Sequence, residues 1–140
     1  MDEGKLIFIA EDNRHQVLLF EIAIQKAKLP DTGFRFFQNG LEVKRYFEKA
    51  SDPDLKIPDL VVVDLKMPIM NGFELIAWLR QHPRFKELPL VVMSSSDEEH
   101  DKARARQLGC SYYFVKPADI NELVTMVKGF YMTRFAPLKL

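Results

Sequence analysis

Residues 60–72 read Leu60-Val61-Val62-Val63-Asp64-Leu65-Lys66-Met67-Pro68-Ile69-Met70-Asn71-Gly72. Four apolar, mostly β-branched residues without polar alternation suit a strand covered on both faces, as at the centre of a parallel sheet. The acid that follows is poorly explained by packing, because a carboxylate at the mouth of a buried strand costs free energy unless it is paired. Asp64 is therefore read as a chemical group placed where the chain turns.

Three other apolar runs end in the same way. Leu6-Ile7-Phe8-Ile9-Ala10 meets Glu11-Asp12, Leu90-Val91-Val92-Met93 meets Ser94-Ser95-Ser96, and Tyr112-Tyr113-Phe114-Val115 meets Lys116-Pro117. In an open parallel sheet the carboxyl ends of the strands share one edge, and ligands bind there where the strand order reverses. Three acids, a hydroxyl and a lysine are expected to converge on that edge.

Between the strands the periodicity turns helical. Val17, Leu18, Phe20, Ile22, Ile24 and Leu29 support a first helix ending near Pro30, and Phe34 to Phe37 reads as a second strand. Asn39-Gly40 is a turn signal before a helix carrying Leu41, Val43, Tyr46 and Phe47, and a polar, proline-marked loop runs from Ser51 to Pro58. A third helix opens at Gly72 and stops by Pro83, with Trp78 a packing residue within it. Asp97-Glu98-Glu99 suits the positive end of a fourth helix, for which Gly109 is the expected C-cap. A capping box of Asp119 and Glu122 starts the fifth. Five strands alternating with five helices give an α/β domain with a parallel sheet covered on both faces.

The chain of 140 residues suits one domain, expected over 5–131, with a short tail over 132–140 and no room for an output domain. Twenty acidic and twenty basic side chains cancel, so nothing points to nucleic acid. No apolar run approaches the roughly 20 residues that span a bilayer, and no cationic leader opens the chain, so a cytoplasmic protein with no membrane partner is expected. A single cysteine, Cys110, suits a reducing compartment and reads as a small buried apolar residue. His15, His82 and His100 lack metal-ligand spacing. Lys102, Arg104 and Arg106 read first as a solvated helix face and second as part of a docking surface.

Glu11, Asp12 and Asp64 would crowd like charges, which raises the pKa of at least one acid unless a cation shares the site. Magnesium takes oxygen ligands and is typically held by one or two carboxylates together with a phosphate. The acids thus suggest phosphoryl chemistry with Asp64 as nucleophile and the backbone carbonyl of Lys66 as a further ligand. Such transfer needs positioning and charge stabilisation, for which Lys116 offers a point charge and Ser94 a hydrogen bond.

The ordered set Glu11-Asp12, Asp64-Leu-Lys-Met-Pro, Asn71-Gly72, Ser94 and Lys116-Pro117 resembles the receiver domain of two-component response regulators, over about Lys5 to Phe130. The resemblance implies a flavodoxin-like, doubly wound sheet of strand order 2-1-3-4-5, the order known for the chemotaxis regulator of the same family. It also implies that Asp64 accepts a phosphoryl group from a sensor histidine kinase or a histidine phosphotransfer protein. Asp12, Asp64 and the Lys66 carbonyl would bind magnesium directly, and Glu11 through water. Ser94 and Tyr113 would form the switch that reshapes the surface of the fourth helix, fifth strand and fifth helix for a downstream protein target. Lys66 and Ser96 would tune the phosphoryl lifetime, and the Lys116–Pro117 peptide would be cis. Glutamate at 11 and serine at 94 stand where aspartate and threonine are commoner, and each keeps the needed oxygen.

Other readings are weaker. An aspartate-nucleophile phosphohydrolase usually has a second aspartate two residues after the nucleophile, where this chain has Lys66. A flavin or nucleotide carrier wants a glycine-rich loop after the first strand, where this chain has Glu11-Asp12-Asn13. The expected protein is a single-domain, phosphate-accepting signalling module rather than an enzyme, and the same acceptor site serves a terminal regulator and a relay intermediate alike. Phe135 and Leu138 in the tail offer apolar contacts for a homodimer.

Overall fold

The parallel pairing of Leu60–Val63 with its neighbours organises the molecule, and all four residues are buried, as their unbroken apolar run demands. The computed structural model describes residues 4–49 and 52–135. The elements alternate as β1 (Lys5–Ala10), α1 (Arg14–Ala27), β2 (Thr32–Phe37), α2 (Gly40–Phe47), β3 (Leu60–Val63), α3 (Gly72–Gln81), β4 (Leu90–Ser94), α4 (Glu99–Leu108), β5 (Tyr112–Val115) and α5 (Ile120–Phe135). The five strands form one parallel sheet of order β2-β1-β3-β4-β5, the flavodoxin-like arrangement.

Side chains of successive strand residues point to opposite faces, and two cores result. Phe8, Val61, Val63 and Val92 pack with Val43, Phe47, Leu75, Ile76 and Ala105 beneath α2, α3 and α4. Ile7, Ile9, Val62, Val91 and Met93 pack with Phe20, Ala23, Leu123, Val127 and Phe130 beneath α1 and α5. Each of the large side chains among them contributes about 1.5–3 kcal/mol on burial, which fixes the strand register on which the site depends.

Several local expectations are revised. The first helix ends at Ala27, before Pro30, because Lys28 turns into the left-handed region with φ 49 and closes the helix with its N–H on the Ile24 carbonyl. The second strand begins at Thr32, two residues earlier than its apolar run, since Lys5 pairs with Thr32 in the β1 ladder. Asn39 is a helix cap: its side chain accepts the Glu42 N–H at 2.9 Å. Asp119 does accept the Glu122 N–H at 2.9 Å, and a complete reciprocal capping box forms at Asn71 and Glu74.

The Lys116–Pro117 peptide is trans, which corrects the expected cis bond. A tertiary amide favours trans by only about 0.5–1 kcal/mol, so the sequence Lys-Pro does not dictate the isomer. Helix α5 runs through Phe135, beyond the start of the tail expected at 132, and its Leu123, Val127 and Phe130 lie in the core it shares with α1 and the sheet. Leu138 and the Phe135 side chain fall outside what is described. Among the described residues, no helix is long and apolar enough to cross a membrane.

Candidate functional site

The sheet ladders continue one residue past the strands, and this delivers the polar groups to a common edge. The Glu11 N–H donates to the Phe37 carbonyl at 2.9 Å, the Asp64 N–H to Ala10 at 3.1 Å and the Lys116 N–H to Ser94 at 2.7 Å. Their side chains therefore inherit the precision of the sheet rather than the looseness of loops. Asn13 caps α1 by accepting the Gln16 N–H at 3.0 Å, which leaves Glu11 and Asp12 free of capping duty.

Carboxylate oxygens of Glu11, Asp12 and Asp64 lie within 4.8 Å of one another. Glu11 and Asp64 are buried, at 2% and 6% exposure, while Asp12 stands open to solvent. Lys116 Nζ sits between the buried pair, 2.7 Å from Glu11 Oε1 and 3.1 Å from Asp64 Oδ2. It donates an aligned hydrogen bond to Asp64, whereas Glu11 Oε1 is held by charge without an aligned donor. Glu11 Oε2 accepts the Asn13 N–H at 3.1 Å, and Asp64 Oδ1 accepts the Lys66 N–H at 3.3 Å.

One ammonium is shared by two buried carboxylates, and the electrostatics show the shortfall. Burial pushes the Glu11 carboxyl from 4.5 up to about 7; the contact with Lys116 opposes the rise and the charge of Asp64 adds to it. Burial alone would lower the Lys116 ammonium, but its contacts with Glu11 and Asp64 outweigh this and move it upward. A hard cation taking these oxygen donors would relieve the crowding, so the residues present fit a divalent metal.

Ser94 ends β4 fully buried, and its Oγ accepts the Ser96 N–H at 3.1 Å. Tyr113 lies half-buried on β5 and donates its hydroxyl to the Ser96 carbonyl at 2.8 Å, so it is turned toward the β4–α4 connection. The structure thus brings Glu11, Asp12, Asp64 and Lys116 together and links Ser94 to Tyr113 through Ser96. Lys66 is exposed beside Asp64, whereas the Ser96 hydroxyl turns to Asp101, 2.6 Å away. Asp101 carried no sequence signal, since its partner lies five residues back across a loop.

Gly72 sets the close approach of α3. A Cβ there would fall inside van der Waals contact with the Asp64 carbonyl oxygen and 2.9 Å from Leu65 Cα. Between them, Ile69 takes φ 69, a strained value for a β-branched residue, in the loop following the nucleophile candidate. An open cleft of about 590 Å³ leads to Asp12 between Lys66, Pro68, Asn71, Phe73 and Arg104. A larger hollow of about 1080 Å³ lies at the opposite sheet edge, by Lys5, Asp31 and Asp59, away from the converging strand ends.

Of the basic residues on α4, Arg104 stacks 4.1 Å above the Phe73 ring and Lys102 pairs with Asp97. Trp78 is half-buried against the core with Lys44 5.7 Å above its ring. Cys110 is partly buried, and burial raises its thiol.

Comparison with known proteins covers most of the chain. The sequence profile of the response regulator receiver domain matches residues 7–128. The polar-differentiation response regulator DivK of Brucella anthropi is 26% identical over 126 residues, covering 90% of this chain and 95% of that protein. The phosphorylated cyanobacterial phytochrome response regulator RcpA superposes with TM-score 0.84 at 28% identity, over 98% of both chains. RPA3017, a response regulator in red light signalling of R. palustris, shares the fold with TM-score 0.85 at 24% identity over 97% of both chains.

Proposed function

The chain belongs to the response regulator receiver domain family of two-component signalling, and on that footing we propose that it accepts a phosphoryl group on Asp64 and signals by a change of surface. The observation that carries this reading is the cluster of three carboxylates within 4.8 Å, bridged by Lys116 at 2.7 and 3.1 Å. Nothing in a purely structural role requires so costly an arrangement at the end of a buried strand.

The donor is a phosphohistidine on a sensor kinase or a histidine phosphotransfer protein. An Asp64 carboxylate oxygen attacks phosphorus, a P–O bond forms, and the P–N bond breaks with its electron pair passing to the imidazole, which takes up a proton. Lys116 Nζ, 3.1 Å from Asp64 Oδ2, holds one equatorial oxygen on this reading, and the Ser94 hydroxyl donates to another. Magnesium, held by Asp12, Asp64 and the Lys66 carbonyl with Glu11 through water, would neutralise phosphoryl charge when bound. The protein needs no turnover of a substrate, which separates it from an enzyme.

Ser94 and Tyr113 form the switch. Phosphate at Asp64 draws the Ser94 hydroxyl, and Tyr113, bonded to the Ser96 carbonyl, follows the rearranged β4–α4 connection. The surface of α4, β5 and α5 then presents a different face to a downstream protein target. A cytoplasmic setting matches a kinase donor. Intact mass after incubation with magnesium and phosphoramidate tests the acceptor chemistry. A single phosphoryl adduct, absent from Asp64→Asn and from a metal-free control, supports it, and no adduct in the parent overturns it.

A further inference from the structure

Every polar group of Ser96 is committed. Its N–H donates to Ser94 Oγ at 3.1 Å, its carbonyl accepts from Tyr113 at 2.8 Å, and its hydroxyl accepts the Glu98 N–H at 3.2 Å while donating to Asp101 Oδ2 at 2.6 Å. The last contact has the length of a hydroxyl bonded to an ionised carboxylate, the stronger class of hydrogen bond. Asp101 stands in the first turn of α4 with its side chain 17% exposed.

The consequence falls on Ser94. A serine hydroxyl has one proton to give and two lone pairs. Ser94 Oγ accepts the Ser96 N–H on one lone pair, which leaves its proton for another acceptor, and on the acceptor reading of Asp64 that partner is an incoming phosphoryl oxygen. That arrangement lasts only while Ser96 keeps its orientation, and the side chain that fixes the orientation is held from α4 by Asp101. We propose that Asp101 is a positioning residue for phosphoryl transfer, holding the Ser94 hydroxyl ready as a donor through Ser96. The inference rests on the acceptor reading of Asp64 and deepens it, since it names how α4 and the acceptor site are joined.

The competing explanation is that Ser96 and Asp101 only brace the start of α4, in which case stability would change and chemistry would not. Phosphorylation rate constants with phosphoramidate and magnesium, read by intact mass, separate the two for the parent, Asp101→Ala, Asp101→Asn, Ser96→Ala and the Ser96→Ala/Asp101→Ala double variant. Losing a charge-assisted bond that acts at one remove should slow Asp101→Ala about threefold to tenfold. The amide oxygen of Asp101→Asn still accepts the hydroxyl and should restore the rate to within about twofold of the parent. The double variant should be no slower than Ser96→Ala, because one link is cut from either side.

A parent-like rate in Asp101→Ala or in Ser96→Ala overturns the inference while the acceptor reading stands, as does an Asp101→Asn variant as slow as Asp101→Ala. Should Asp101→Ala fail to fold, Ser96→Ala and Asp101→Asn decide the matter by the same criteria. A parent that takes up no phosphoryl group overturns the acceptor reading and this inference with it.

Discussion

Replacing Glu11 with glutamine isolates the energetic strain of the acid cluster. In the metal-free protein Glu11 binds its proton up to about pH 7, against 4.5 for the ordinary carboxyl. The folded state therefore holds a proton that the unfolded state has released. This contribution to stability is fully present below pH 4.5 and is lost as pH rises through about 7. At 1.36 kcal/mol per unit, the loss between pH 5 and pH 8 is about 2–3 kcal/mol, with the charge of Asp64 and the pairing to Lys116 setting where in that range it falls. Glutamine cannot ionise, so Glu11→Gln should flatten the dependence and be the more stable protein at pH 8. Urea unfolding in chelator at pH 5, 6, 7 and 8 measures this directly. Equal slopes against pH in parent and variant would refute the reasoning. Magnesium should stabilise the parent at pH 8 by binding the ionised acids, and far less at pH 5.

Other perturbations test the geometry around that cluster. Gly72→Ala drives a methyl into the Asp64 carbonyl and to 2.9 Å from Leu65 Cα; it should cost about 3 kcal/mol in urea unfolding, since backbone on both sides leaves little to yield. Asn71→Ala removes the Asn71 side-chain arm of the α3 capping box and should cost about 1–2 kcal/mol by the same measurement. Lys116→Met takes the only cation 2.7 Å from Glu11 and 3.1 Å from Asp64, among the described residues. It should slow phosphoramidate-driven phosphorylation about a hundredfold or more, with the intact-mass time course as readout.

The architecture was legible because burial is written directly into composition. Leu60–Val63 and Leu90–Met93 carry no polar alternation, which is what a strand covered on both faces requires. The placement of the candidate site was legible for a related reason: Glu11, Asp64, Ser94 and Lys116 each follow an apolar run, and a parallel sheet brings such ends to one edge. What the sequence concealed depends on local competition. Asn39 suits a turn and a helix cap equally well until the Glu42 N–H is seen on its side chain. Lys28 carries no mark of the left-handed turn that ends α1 before Pro30. The isomers of Lys116–Pro117 are separated by too little energy to be read from two residues. The direction of the Ser96 hydroxyl depends on Asp101, and no periodicity reports a contact between a loop and the first turn of the helix after it.

The most direct measurement is the chemical identity of the acceptor. The phosphorylated protein is reduced with borohydride, which converts an aspartyl phosphate to homoserine, and the peptide spanning 60–72 is sequenced by tandem mass spectrometry. Homoserine at position 64, absent when magnesium is withheld, is the predicted result. Homoserine at position 12 or elsewhere, or an unmodified Asp64 in protein that carries phosphate, would contradict the assignment of Asp64 as the acceptor.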